Sequence, residues 1–349
     1  MKSYNCLHCH NPLYFENSQC LKCGYTVGFN SYFLNFVTLS EEPNNQHFSN
    51  VNNAEEKYKF CKNATHGTCN WLLPVWSEEV FCTACSLNRT IPSLDNAENK
   101  ERWKLIEIAK HRLIYSLLKI GLPVEAKTDK ESNGIWFDFV ESLSPNKKIL
   151  TGHKDGIITL NIEEADEILR VSNKNQLGEK YRTLLGHFRH EIGHYYWDVL
   201  IRDSTYLEEY RNVFGDERAD YSEALELYYK QPRDLNWNQN YISSYASAHS
   251  WEDWAETWAH YLHMMDTLET AFAFGIDIET NTPGIHVDIN TDPYQIKSFE
   301  EIMEMWLPLS FATNSLARSM GHQDFYPFII SETVVKKLSF IHEVCGTVR

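Results

Sequence analysis

The sequence predicts an α+β fold: a mostly helical domain with a small mixed sheet, preceded by two small modules of four cysteines each. Three observations predict it. Eight of the nine cysteines fall between Cys6 and Cys85, in two clusters. Short runs of β-branched and aromatic residues between positions 134 and 161 read as strands. After Pro92, long stretches repeat apolar residues at three- and four-residue steps, as buried amphipathic helices do. The 349 residues suffice for one large domain with small modules, and a 43% apolar content supplies its core. The expected divisions are 1–30, a metal ribbon; 31–92, a linker and a second four-cysteine module; and 93–349, the large domain.

Charge and hydropathy narrow the function classes. The formal net charge of −16 argues against nucleic acid as the main partner, because phosphate binding needs a basic face. Most of the negative charge follows residue 100, where it reads as a solvated acidic surface. No apolar run reaches the roughly 18 residues of a membrane span. The amino terminus, Met1-Lys2-Ser3-Tyr4-Asn5-Cys6, runs directly into a cysteine motif without the pattern of a secretory signal. A cytoplasmic location is expected, with cysteines reduced or metal-bound rather than paired in disulfides.

In the first module, Cys6-x2-Cys9 and Cys20-x2-Cys23 are ten residues apart. Each C-x2-C turn presents two thiolates to one ion, and two such turns complete a tetrahedral site. So short a segment cannot fold on apolar burial alone, so a structural zinc is expected to stabilise it. His8 and His10 are not needed as ligands. Tyr32 to Val37 reads as a strand, and Ser40 to Glu56, rich in Asn and Glu, as a linker. The second module is Cys61-x7-Cys69 followed by Cys82-x2-Cys85. Its first gap is wider than a knuckle, and His66 is an alternative donor there. Structural sites close all four positions, so neither cluster is expected to be catalytic.

Beyond Pro92, Ser93 or Asp95 caps a helix expected to run to Ile120, with Trp103, Ile106, Ile108, Leu113, Leu117 and Leu118 on its apolar side and Gly121 ending it. Strands are expected over 134–140, 149–153 and 156–161, with Lys154-Asp155-Gly156 as a turn. A charged helix is expected from Glu163 to Val171, and a turn from Asn173 to Gly178.

The next stretch organises the chain. His190-Glu191-Ile192-Gly193-His194 is H-E-x-x-H, inside a helix expected from Gly178 to Ile201. Residues four apart share a helix face, so both imidazoles can converge on one ion. An ion held there acidifies a water, and the Glu191 carboxylate takes its proton. Two histidines and a glutamate are costly to bury together without a metal. Gly193, between the histidines, permits another backbone to approach closely.

A third protein ligand has to come from elsewhere. In Ser250-Trp251-Glu252-Asp253-Trp254-Ala255-Glu256-Thr257-Trp258-Ala259-His260, the side chains of Glu252, Glu256 and His260 share one face, surrounded by tryptophans. Glu252 is the expected ligand, and Glu256 the partner that fixes the tautomer of a ligand histidine. Asp216 and Glu217 compete for the ligand role, and Asp198, four beyond His194, is a further candidate to orient an imidazole. Peptide hydrolysis also needs a donor for the developing oxyanion. Tyr245 is preferred over His249 and His260. Ile302 to Met320 and Val334 to Val344 are two further apolar-faced helices, and Cys345 reads as a plain free thiol.

Taken together, Tyr181 to Trp197 around H-E-x-x-H, Trp251 to His263, and the amino-terminal cysteine ribbon resemble a bacterial family of zinc-binding metallopeptidases with a zinc-ribbon domain. The resemblance spans nearly the whole chain. It implies a zincin-like metallopeptidase domain and its chemistry, but no substrate. The Glu-x-x-Ala-Glu-x-aromatic helix also looks like the third-ligand helix of the anthrax lethal factor group of gluzincins. In that group the first Glu binds zinc and a Tyr seven residues earlier stabilises the transition state; carried over, these are Glu252 and Tyr245.

The leading expectation is therefore a zinc peptidase acting on protein or peptide, with one catalytic and two structural zinc ions. Its rival is an inactive zincin scaffold whose zinc ribbons bind protein or nucleic acid. A metal-dependent hydrolase of non-peptide amides stands third.

Overall fold

The computed structural model describes residues 2–42, 47–142, 151–166, 183–231, 235–280 and 285–347. The chain divides into two compact units, Met1–Arg170 and Val171–Arg349, and mixes α and β structure. Among the described residues, no helix is long and apolar enough to cross a membrane.

The first unit opens with a two-stranded hairpin, β1 (Tyr4–Asn5) and β2 (Pro12–Leu13). Strands so short need external support. Tyr4 leans on Phe29 and Phe36, whose rings join Phe15, Trp71 and Tyr115 in one aromatic core. A five-stranded antiparallel sheet follows in the order β3 (Thr26–Asn30), β4 (Asn35–Glu41), β5 (Phe48–Asn50), β6 (Asn53–Phe60), β7 (Leu72–Pro74).

Most of the expected linker, Ser40 to Glu56, is thus strand. Its asparagines are turn formers: Asn50 Oδ1 accepts from Asn52 N, Asn53 Oδ1 accepts from Glu55 N, and Asn50 Nδ2 donates to Glu56. Side-chain acceptors of this kind close tight reversals between strands. The first five residues of β6 are exposed, so the stretch lacks an apolar signature although the strand pairs with β5 at Asn53, Lys57 and Tyr58 and with β7 from Tyr58 to Phe60. The buried face lies further along, where Val37, Leu39, Tyr58 and Leu72 cluster.

A four-stranded sheet, ordered β10 (Gly152–Lys154), β11 (Ile157–Asn161), β9 (Trp136–Val140), β8 (Asn88–Thr90), completes this unit. It is mixed: β11 and β8 flank β9 in parallel, and β10 pairs antiparallel with β11 across Asp155-Gly156. The expected start of β10 at Ile149 and Leu150 lies outside the described residues. Helix α1 (Ala97–Ile120) is capped by Asn96, which accepts from Glu98 N, rather than by Ser93 or Asp95. It ends at Gly121, whose positive φ of 90° suits glycine. Trp103, Ile106, Leu113 and Leu117 are buried, Ile108 and Leu118 half-buried. At the start of the stretch expected to be a charged helix, Ile162–Ala165 forms one 3-10 turn. The rest of that stretch, and the Asn173–Gly178 turn, lie outside the described residues.

The second unit is largely helical: α2 (Leu184–Leu200), α3 (Leu207–Phe214), α4 (Tyr221–Lys230), α5 (Ser250–Ala273), α6 (Phe299–Ser319) and α7 (Glu332–Gly346), with a small hairpin of β12 (Asp277–Glu279) and β13 (His286–Asp288). Thr183 caps α2 by accepting from Gly186 N. The expected first turns, 178–182, lie outside the described residues. Helix α5 is the centre of this unit. Arg189 of α2 pairs with its Asp266, which also accepts from Tyr294 Oη at 2.9 Å. Lys337 of α7 donates to its Asp253 at 2.6 Å, in a buried ion pair. These polar cross-links fix the register of α5 against both neighbours.

Candidate active site

The H-E-x-x-H stretch lies on α2, and α5 runs across it at unusually close range. Gly193 makes this possible. A Cβ at that position would meet Ala255 Cα at 3.1 Å and Trp258 Cβ at 3.2 Å, and the Gly193 carbonyl accepts from Trp254 Nε1 at 2.8 Å. Substituting alanine should gain about 1 kcal/mol of helix propensity. It would also force backbone and Cβ atoms apart, and overpacking of that kind costs about 1–3 kcal/mol. Because no flexible side-chain end can yield, Gly193→Ala is expected to lower stability in denaturant titration and to weaken metal binding at the site below. A more stable variant with unaltered metal affinity would refute this account of the glycine.

The close approach brings Glu252, on the first turn of α5, to both histidines. Glu252 Oε2 lies 3.0 Å from His190 Nε2 and 3.6 Å from His194 Nε2. Glu252 is 1% exposed, and the donor atoms of all three residues fall within 4.8 Å of one another. Glu256, one turn further along α5, receives His190 Nδ1 at 2.7 Å and the Ser243 hydroxyl at 2.5 Å. An ionised carboxylate only accepts hydrogen bonds, so Nδ1 carries a proton toward Glu256, and Nε2, facing Glu252, is left for a second proton or a cation. Two lone pairs do not face each other at 3.0 Å without a cation or a proton between them. Two imidazoles and one carboxylate are a donor set that suits zinc, so these residues fit the metal.

The electrostatics agree. Burial alone would lower the pKa of His190, but Glu252 and Glu256 hold it well above the ordinary range. Burial alone would raise that of Glu252, but His194 and His190 hold it well below. A carboxylate kept ionised in a buried pocket is a site prepared for positive charge. Glu191 is half-buried beside the two histidines; burial raises its pKa against their opposing pull. A carboxylate raised in this way becomes a better base. Trp251 packs against His194 with the rings tilted and their centroids 4.0 Å apart, and Tyr245 packs its ring 6.0 Å from that of His190. Tyr245 belongs to a short 3-10 turn, Tyr245–Ala248, just before α5, where burial pushes its pKa up and keeps its hydroxyl protonated as a donor.

Other expected residues have other duties. His249 caps α5: its Nδ1 accepts from Trp251 N at 3.0 Å and its Nε2 donates to the Ala219 carbonyl at 3.1 Å. His260 lies on the Glu252–Glu256 face, but its Nδ1 pairs with Tyr326 Oη at 2.8 Å, and burial pushes its pKa down to about 4. Asp198 pairs with Arg202. The rival ligands are engaged elsewhere, Asp216 with Arg218 and Glu217 with Arg211. Sequence reasoning missed Tyr221, whose hydroxyl donates to Glu252 Oε1 at 2.5 Å. No spacing rule points to a tyrosine 31 residues before its partner.

Both cysteine clusters close in the first unit. The sulfurs of Cys6, Cys9, Cys20 and Cys23 lie within 4.8 Å of one another, as do those of Cys61, Cys69, Cys82 and Cys85. The wide Cys61–Cys69 gap is taken up by a 3-10 turn, Lys62–His66, and a reversal at Gly67 (φ 69°). His66 packs against Trp103 instead, and His8 against Tyr25. One histidine not expected here, His111 of α1, places Nε2 3.8 Å from Cys85 Sγ. Cys345 is buried in α7.

The family described as "Putative zinc-binding metallo-peptidase" matches residues 99–344, and the one described as "zinc-ribbon domain" matches residues 3–96. An uncharacterized protein of Mycobacterium bovis and two of Mycobacterium tuberculosis strains are each 37% identical to this chain over 349 residues, covering 100% of it and 96% of their own length. No solved structure matches the chain.

Proposed function

The chain belongs to the zinc-binding metallo-peptidase family that carries an amino-terminal zinc ribbon, and from that membership we propose that it hydrolyses peptide bonds with one zinc held by His190, His194 and Glu252. The observation that carries this reading is the convergence of His190 Nε2, His194 Nε2 and a buried Glu252 oxygen on one point, with Glu256 placed on the other nitrogen of His190. When bound, zinc supplies Lewis acidity for a water nucleophile. Glu191 accepts a proton from that water as its oxygen attacks the scissile carbonyl carbon. Tyr245 donates a hydrogen bond to the oxygen on which negative charge develops. Glu191 then returns the proton to the amide nitrogen as the C–N bond breaks, releasing a carboxylate and an amine. Glu256 holds the Nδ1 proton of His190 throughout.

The fold that does this is read as a zincin of the gluzincin kind, with Glu252 as the carboxylate ligand. The cysteine modules are read as two structural zinc sites, and reduced thiols are consistent with a cytoplasmic protein acting on proteins or peptides. The test is cleavage of a complex peptide mixture, with new termini identified by mass spectrometry. Cleavage is expected to disappear when a chelator removes the histidine-site zinc and to return on adding zinc back. Protein holding that zinc and cleaving nothing would sink the proposal in favour of an inactive scaffold that presents its ribbons to a partner.

A further inference from the structure

Glu252 has two oxygens and the structure treats them differently. Oε2 faces His190 Nε2 and His194 Nε2, whereas Oε1 accepts the Tyr221 hydroxyl at 2.5 Å. Tyr221 is the first residue of α4, directly after the cap Asp220, whose side chain accepts from Glu223 N. Its ring lies edge-on to His249 and Trp251, with centroids 5.4 and 5.7 Å away. His249 in turn ties the start of α5 to Ala219, two residues before Tyr221. The helix that carries the hydroxyl and the helix that carries the carboxylate are thus fastened at their amino ends by a capping histidine. Such an arrangement holds one hydrogen bond in place, and a half-buried tyrosine fixed in this way does more than pack.

We infer that Tyr221 is a positioning residue that reserves a single oxygen of Glu252 for the metal. The inference rests on the reading of His190, His194 and Glu252 as zinc ligands. A carboxylate with both oxygens available can take two coordination positions, and one of these is needed by water in a hydrolytic site. A hydroxyl held on Oε1 removes that option and also fixes the torsion of the carboxylate. Partners of metal ligands that act in this manner typically change metal affinity 10- to 100-fold when lost.

The test uses the full-length protein with zinc retained in its cysteine sites and cobalt(II) exchanged into the histidine site. His190→Ala, which should take up no cobalt there, assigns the spectrum. Tyr221→Phe removes only the hydroxyl. It is expected to weaken metal affinity about 10- to 100-fold by chelator competition. It should also cut the visible d–d absorption of the cobalt several-fold, as a four-ligand site gains a fifth donor. Far-ultraviolet circular dichroism matching the parent verifies the fold. An unchanged cobalt spectrum in Tyr221→Phe overturns the inference, whatever the affinity, because a packing role would leave the coordination number alone. Failure of the parent protein to bind cobalt at His190 would overturn the ligand reading, and this inference with it.

Discussion

Glu191→Gln is expected to keep its histidine-site zinc and to lose peptide cleavage by about 10²- to 10⁴-fold, the range associated with a positioned general base. Glu191 follows His190 on α2, so it is carried to the site by the same turn that delivers the ligand. It is half-buried and feels both ligand histidines and Glu252, yet no role among the three converging donors falls to it. Glutamine preserves its shape and hydrogen-bonding reach but cannot accept a proton, so the substitution isolates proton transfer from metal binding. His194→Ala is the contrasting variant: it should lose the zinc together with the activity. Measuring zinc content beside the cleavage rate separates the two. Cleavage retained within a few-fold by a zinc-loaded Glu191→Gln protein would remove Glu191 from the mechanism.

Much of this site is legible in the sequence because helical periodicity converts spacing into geometry. His190 and His194 share a face by arithmetic alone, and so do Glu252 and Glu256. That the two pairs meet is a tertiary fact, yet it leaves a trace in Gly193, the one residue of the motif whose missing side chain lets Ala255 and Trp258 close in. What stayed hidden was of a different kind. His249 and His260 look equivalent as polar residues near Glu252, and only the structure separates a helix cap from a partner of Tyr326. Tyr221 carries no periodic signal, because its hydroxyl reaches Glu252 from another helix. In the first unit, β6 was illegible because its opening residues expose their side chains, and the strand is held by pairing with β5 and β7, a contribution that hydrophobic patterning does not register. The Cys61-x7-Cys69 spacing was ambiguous for a related reason: closing it needs a 3-10 turn and a left-handed glycine, neither of which follows from counting residues.

Cys82→Ser is expected to lose one zinc equivalent and to expose the backbone of β5, β6 and β7 to hydrogen exchange. Cys82 is 1% exposed, and its sulfur lies 3.7 Å from that of Cys69. The backbone N–H of Cys82 points at Cys61 Sγ at 3.4 Å and that of Trp71 at Cys69 Sγ at 3.3 Å. Donors aimed at sulfur favour thiolates, and four thiolates at such range repel one another unless a cation compensates them. The ligands come from both ends of the segment, since Cys61 follows β6 and Cys69 precedes β7. A metal there joins what the sheet alone joins weakly, because β5 and β7 have only three residues each. Structural zinc contributes about 10–16 kcal/mol to folding in small modules, as much as the whole stability of an ordinary domain. Serine keeps the volume but is a poor ligand, so most of that contribution should vanish while the buried packing stays nearly constant. Zinc stoichiometry and residue-resolved exchange over positions 48–74 measure the effect. Unaltered protection together with a missing zinc would mean that aromatic packing around Phe29 and Trp71, rather than the metal, holds this sheet together.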